Sequence, residues 1–263
     1  MKIKALTGLL AASTIFASGA AMADPFYLNV GTFTPNYFQD GVTSNIAQLG
    51  VNWAATSTFT DDDGTLGLSI GDSVLDIGRG TVSSFLGGAG AITGGNNHEG
   101  IGNNYSIWFE YNDLAGTIAA VNPGNGNVLA NYTSGTIKVY GSEIDGDGNT
   151  PNAIELLTLN VFGSDADFAN AIIYATVSDP LPGTWFFPPA TDWSGLTVAI
   201  NMRLDTNLDP DAAVTDNGDG TYSRSSTLDG SVVFNRVPEP GVLALLGIGL
   251  VGLGAARRAK KIA

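Results

Sequence analysis

The chain has 263 residues, a single histidine, no cysteine and a formal net charge of −14. The missing thiols exclude a disulfide framework, a thiolate metal site and a cysteine nucleophile. Six of the eleven bases lie at the two ends, so between Asp24 and Glu239 five bases face all twenty-five acids, a net of −20 that repels nucleic acid and favours cations or basic partners.

The N-terminus places Lys2 and Lys4 before the apolar run from Ala5 to Phe16, and then Ser18-Gly19-Ala20-Ala21-Met22-Ala23 before Asp24-Pro25. A positive segment, a short apolar segment and a small-residue site with an A-x-A pattern define a secretory signal peptide. A signal-peptide helix is therefore expected over residues 1–23. Cleavage after Ala23 would leave Asp24 as the first mature residue, with the Sec export machinery as the first partner.

Residues 24–236 read as one acidic extracellular domain. Strand character appears at Phe26 to Val30, Val51 to Thr60, Tyr105 to Tyr111, Gly116 to Val121 and Gly135 to Tyr140. It continues at Ile154 to Phe162, Ala171 to Val177, Leu196 to Leu204 and Ser231 to Phe234. Tyr105 to Tyr111 and Thr136 to Tyr140 approximate the two-residue alternation of a half-buried strand. Asp-Gly and Asn-Gly pairs, among them Asp63-Gly64, Asn125-Gly126 and Asp219-Gly220, tolerate positive φ and suit tight turns. Short strands with frequent turns predict an all-β fold, a jelly-roll-like β-sandwich. The one helical alternative is a short segment, Asp165 to Ala175, capped by Ser164.

Four features of this domain bear on chemistry. Ile70-Gly-Asp-Ser73-Val-Leu-Asp-Ile-Gly78 is similar to the nucleophile block of GDSL esterases, in which Ser73 would attack. The only histidine, His98, follows by 25 residues and has Gly95 where that family carries aspartate, so a Gly-Asp-Ser turn is the alternative and no enzymatic activity is expected. Asp145, Asp147 and Asn149 put oxygens at positions 1, 3 and 5 of a loop, with Glu155 following, which points to Ca2+, with an ordinary Asp-Gly-rich hairpin and no cofactor as the alternative. Asp61-Asp62-Asp63-Gly64 and Asp216 to Gly220 are further candidate cation loops. Trp185 and Trp193, in a proline-bounded segment, would form an exposed sugar-stacking surface or else a packed loop that plugs one end of the sandwich.

At the C-terminus, Val237-Pro238-Glu239-Pro240 precedes sixteen uncharged residues, 241–256, and then Arg257, Arg258, Lys260 and Lys261. Two prolines deny the first segment helix and sheet, so it is expected to stay extended. As a helix the uncharged run would reach about 24 Å, a little short of the ~30 Å hydrocarbon layer, a gap that snorkelling bases cover. The four bases would remain cytoplasmic, placing the acidic domain outside, in agreement with the signal peptide. A C-terminal transmembrane helix is thus expected.

Residues 237–263 together resemble the PEP-CTERM sorting signal of Gram-negative surface proteins. The resemblance implies that an exosortase recognises Pro238, Glu239 and Pro240, with the apolar run as a temporary stop in the inner membrane. Ser106 to Thr117, Ser134 to Tyr140 and Leu157 to Ser164 are similar to flocculation-associated proteins of that type. The implied role is a non-enzymatic surface or matrix protein associated with exopolysaccharide, biofilm or floc formation, with divalent cations bridging acidic protein and polymer. A glycan-binding module or hydrolase is the alternative.

Overall fold

The computed structural model describes residues 23–36, 41–65, 67–92, 100–122, 126–167, 170–207 and 213–237. The expected signal peptide before Ala23 and the expected membrane span 241–256 lie outside them. Among the described residues no helix is long and apolar enough to cross a membrane.

Among the described residues thirteen strands follow one another: β1 (Tyr27–Leu28), β2 (Gln48–Thr60), β3 (Ser73–Gly87), β4 (Gly90–Ala91), β5 (Tyr105–Val121), β6 (Val128–Glu143) and β7 (Ile154–Ala166). The remainder are β8 (Asn170–Ser178), β9 (Trp185–Phe187), β10 (Thr191–Asp192), β11 (Ile200–Asn207), β12 (Thr215–Asp216) and β13 (Thr221–Arg236). Eight of them, β2, β3, β5, β6, β7, β8, β11 and β13, pair antiparallel with their neighbours in that order. The last strand closes the ring. Its first part pairs with β2 from Thr221↔Thr60 to Val232↔Leu49, and its end pairs with β11 from Gly230↔Thr206 to Arg236↔Ile200.

The fold is therefore a closed eight-stranded up-and-down barrel, which corrects the expected jelly-roll sandwich. Two physical features account for the difference. The strands are long, thirteen to seventeen residues in β2, β3, β5, β6, β7 and β13, and several carry bulges, as at Asp76/Gly78 and between Glu110 and Ala115. Bulges sharpen local twist and bend, and a coiled sheet of eight long strands can meet its own edge. Closure removes the free edges that two packed sheets would retain.

Two further expectations change. Tyr105 to Val121 is one bulged strand instead of two strands, and the helical alternative at Asp165 to Ala175 is instead the β7–β8 hairpin. Ser164 does not cap a helix. Its Oγ accepts from the Tyr132 backbone N–H at 2.7 Å.

Alternation runs apolar inward and polar outward, as in β2, where Leu49, Val51, Trp53 and Phe59 are buried while Asn52 and Thr56 are exposed. That is the reverse of a lipid-facing barrel. Glycines let thick side chains fit: a Cβ on Gly80 would press into Trp53 and Phe109, and one on Gly78 into the Tyr111 ring.

The interior has two halves. One is apolar, with Val51, Phe109, Ile137, Leu159, Met202 and Phe234 among its lining. It is covered by the segments around β1, β9 and β10, whose Phe26, Trp185 and Trp193 rings pack on Phe234 at 5.1–6.1 Å between centroids. The other half is polar. There Tyr132 donates to Asp76 Oδ2 at 2.6 Å, and Arg224 donates from Nη1 to the Val128 carbonyl at 2.9 Å while lying over the Phe59 ring.

Burial pushes the Asp76 carboxyl above its ordinary value, and the Tyr132 hydrogen bond and the Arg224 charge only partly offset it. The native state then holds the Asp76 proton more tightly than the unfolded chain does. The Asp76 contribution to stability rises as pH falls through the elevated value toward the ordinary one of about 4, and is lost as pH rises back through the elevated value. In urea titrations the midpoint of the unaltered protein should gain on that of Asp76→Asn over this range. A gap that is constant or narrows on acidification rules this out.

Candidate functional site: an outer groove and a carboxylate cluster

A large concavity lies on the outer wall of the barrel, across β13, β2, β3, β5 and β6, with a volume of about 1110 Å³. Small residues make its floor: Ala54, Ala55 and Gly78. The strand register puts three charges side by side along one wall, since Arg79 pairs with Glu110 and Glu110 with Lys138. The β5 bulge supplies Asn112 and Asp113 to the lining, and Asp113 Oδ1 accepts from the Thr136 N–H at 2.8 Å.

Tyr140 also lines the groove. It stacks on Trp108 with centroids 5.8 Å apart and planes 22° from parallel, and Arg79 lies 6.0 Å over the Trp108 ring. Trp108 faces outward but is only 7% exposed. It acts as a base that fixes the phenol. Burial raises the Tyr140 hydroxyl pKa, the Lys138 charge works against this, and the carboxylates Glu110 and Glu155 add to the rise. At neutral pH the phenol is therefore a hydrogen-bond donor. Lys138 Nζ pairs with Glu155 Oε2 at 3.0 Å.

The residues of the expected Ca2+ loop make other contacts. Asp145 Oδ1 is engaged by the N–H groups of Asp147 (3.0 Å) and Asn149 (2.8 Å), an Asx-type turn. Glu155 belongs to β7 and is held by Thr158 Oγ1 at 2.7 Å and by Lys138, which together keep its carboxyl below the ordinary value. Its strand carries it to the barrel wall, where a base competes for it. The loop Asp216 to Gly220 is likewise a turn, with Asp219 Oδ1 accepting from Thr221.

Three carboxylates do converge elsewhere. One oxygen each from Asp61, Asp63 and Asp72 lies within 4.8 Å of the others, the only such grouping of three among the described residues. Asp61 accepts from Gly64 N–H at 2.8 Å, Asp63 from Thr65 N–H at 2.8 Å, and buried Asp72 from Ser69 N–H at 2.7 Å. The Thr65 hydrogen bonds come first in holding the Asp63 carboxyl below its usual range. Asp61 and Asp63 are visible in the sequence as an acidic loop. Asp72 is not, because its Gly-Asp-Ser context suggests a nucleophile turn; Ser73 in fact opens β3, with its N–H on Asp62 Oδ2 at 2.8 Å. His98 lies outside the described residues.

Trp185 and Trp193 are 1% and 2% exposed, so the expected sugar-stacking surface is corrected to the alternative of a packed plug. Trp185 Nε1 donates to the Leu156 carbonyl at 3.2 Å, and the two indoles stack at 5.1 Å. The exposed aromatic pair is a different one. Phe162, 55% exposed, stacks on Tyr174 at 6.2 Å and 21° from parallel, next to the β7 bulge at Val161/Gly163. Nothing in the sequence around Phe162 sets it apart from an ordinary strand residue.

At the chain ends, Ala23 is the first described residue, and Asp24 is joined to the last barrel strand. Asp24 N–H donates to the Phe234 carbonyl at 3.0 Å, and the Arg236 N–H and Nε donate to Asp24 Oδ2 at 2.8 and 3.2 Å. Val237 makes the final described backbone bond, to Ala199 at 2.9 Å. The sorting residues Pro238, Glu239, Pro240, Arg257, Arg258, Lys260 and Lys261 lie outside the described residues.

The PEP-CTERM protein-sorting motif matches residues 236–259. No curated protein matches the chain. The motif implies an exported protein with a membrane-anchored sorting step, processed by an exosortase and destined for the cell surface.

Proposed function

We propose, from a chain that carries a PEP-CTERM sorting motif at residues 236–259, that the acidic barrel serves as a non-enzymatic matrix protein held in exopolysaccharide, in biofilm or floc. The sorting motif is the observation that carries this reading, because it assigns the barrel to the outside of the cell. A domain with a net charge of −20 gains nothing by direct charge attraction to an anionic polymer. Divalent cations resolve the conflict, and Asp61, Asp63 and Asp72 are the residues suited to share one with the polymer, since hard cations take several carboxylate oxygens. The Asp145 to Glu155 loop plays no part in this scheme.

The test is co-sedimentation of the secreted protein with exopolysaccharide from the producing cells, with and without EDTA, and with Asp61→Asn/Asp63→Asn. Retention should fall on chelation and in the double variant, and Ca2+ should raise the Tm of the unaltered protein alone. Retention and Tm indifferent to both manipulations would remove cation bridging. Absence of the protein from the matrix would remove the larger reading.

A further inference from the structure

We propose that the outer groove between Arg79 and Thr227 is a binding site for an uncharged stretch of polysaccharide. This deepens the matrix-protein reading and rests on it for the choice of polymer. The groove, at about 1110 Å³, lies at or above the upper end of the ~300–1,000 Å³ typical of ligand sites and is open along its length. Such a shape suits a segment of a chain better than a compact molecule.

The lining selects among polymers. Arg79, Glu110 and Lys138 stand in one row in the order plus, minus, plus, and the nearby Asp113 brings the groove to balance. A polyanion finds no net attraction there and meets a domain of −20 on approach; nucleic acid is excluded on the same ground. An extended peptide that binds by adding a strand needs a sheet edge, and the floor offers none, since Ala54–Thr56 pair with Ser225–Thr227 on one side and with Ile77–Arg79 on the other.

A neutral glycan matches what remains. Its hydroxyls both donate and accept, as does the mixed set of carboxylate, guanidinium, amide and phenol on Glu110, Arg79, Asn112 and Tyr140. Its carbon-bound hydrogens present a weakly apolar face to an aromatic ring, and Tyr140 is fixed on the buried Trp108. Ordering a ligand costs less against side chains already held in place. The Trp108 stack and the Lys138–Glu155 pair at 3.0 Å supply that order.

The experiment measures binding of the secreted barrel to dextran, cellohexaose, laminarihexaose and an alginate hexamer by calorimetry in EDTA. One neutral probe should bind, with affinity falling tenfold or more in Tyr140→Ala and in Ala54→Trp, which fills the floor without removing a polar group. Phe162→Ala, on the separate exposed aromatic pair, should bind as the unaltered protein does. Circular dichroism and Tm establish that each variant is folded. Binding of no neutral probe, binding unchanged in both groove variants, or binding lost in Phe162→Ala instead would overturn the groove assignment. Co-sedimentation with native exopolysaccharide separates the two readings. Neutral-probe binding without matrix retention keeps the groove and removes the matrix role, whereas retention without neutral-probe binding does the opposite.

Discussion

Truncation after Val237, with the signal peptide kept, is expected to release a folded, exported barrel and to abolish its membrane-anchored form. The removed residues 238–263 carry Pro238 to Pro240, the uncharged run 241–256 and the terminal bases, within which the sorting motif lies almost entirely. A hydrophobic run of this kind holds a chain in a membrane far more firmly than any peripheral contact, so the effect should be nearly all-or-none. Stability should not change, because the Val237–Ala199 bond and the Asp24–Arg236 pair lie before the cut. Cell fractionation with an antibody to the barrel, together with a thermal melt of the released protein, reads both outcomes. Continued recovery in the membrane fraction would show that residues 238–263 are not what anchors the chain. A large drop in Tm would show that the removed segment contributes to the fold.

A second arm sharpens the reading. Pro238→Ala/Pro240→Ala leaves the span and the bases intact but lets the segment leave its extended form. The protein should then accumulate, unprocessed, in the membrane fraction. Normal processing would mean that the prolines are not what the sorting machinery grips.

The sequence made some of this architecture legible and hid the rest for identifiable reasons. Alternation marked parts of β5 and β6, because each has one face against the core and one in water. It did not mark β3, where Asp76, Gly78 and Gly80 occupy inward positions between Val74 and Val82. Two of those residues are small to admit Tyr111, Trp53 and Phe109 from neighbouring strands, a requirement set far away in the chain. Barrel closure rests on β13 reaching two partners at once, and no local pattern records it.

The site residues divide in the same way. Asp61 and Asp63 are near in sequence and could be grouped; Asp72 joins them only through the fold. Glu155 follows Asp145 at plausible cation-loop spacing, yet the β6–β7 register sets it opposite Tyr140, where its carboxylate meets the Lys138 ammonium. Trp185 and Trp193 sit between prolines and look like loop residues. Their environment is decided by Phe26 and Phe234, respectively at the start and end of the domain.

That aromatic cluster makes the largest stability prediction. Trp185→Ala should destabilise the barrel by about 3–5 kcal/mol, a fall in Tm on the order of 10 °C for a domain of this size. Trp185 is 1% exposed and contacts the rings of Phe26, Trp193 and Phe234 at 5.1–6.1 Å between centroids. These neighbours belong to β13, to the N-terminal segment and to the turn after β10, each tied down by its own backbone bonds, so the space cannot readily collapse. The change also leaves the buried Leu156 carbonyl without the indole N–H. Because Trp185 ties the plug to the barrel wall at Leu156, the loss should loosen the Asp24–Arg236 junction as well. Faster amide exchange at Asp24 and Asn29 than in the unaltered protein would report it. Phe162→Ala serves as the exposed comparison and should change stability by no more than about 0.5 kcal/mol. Equal losses in the two variants would mean that the plug is not part of the cooperative core.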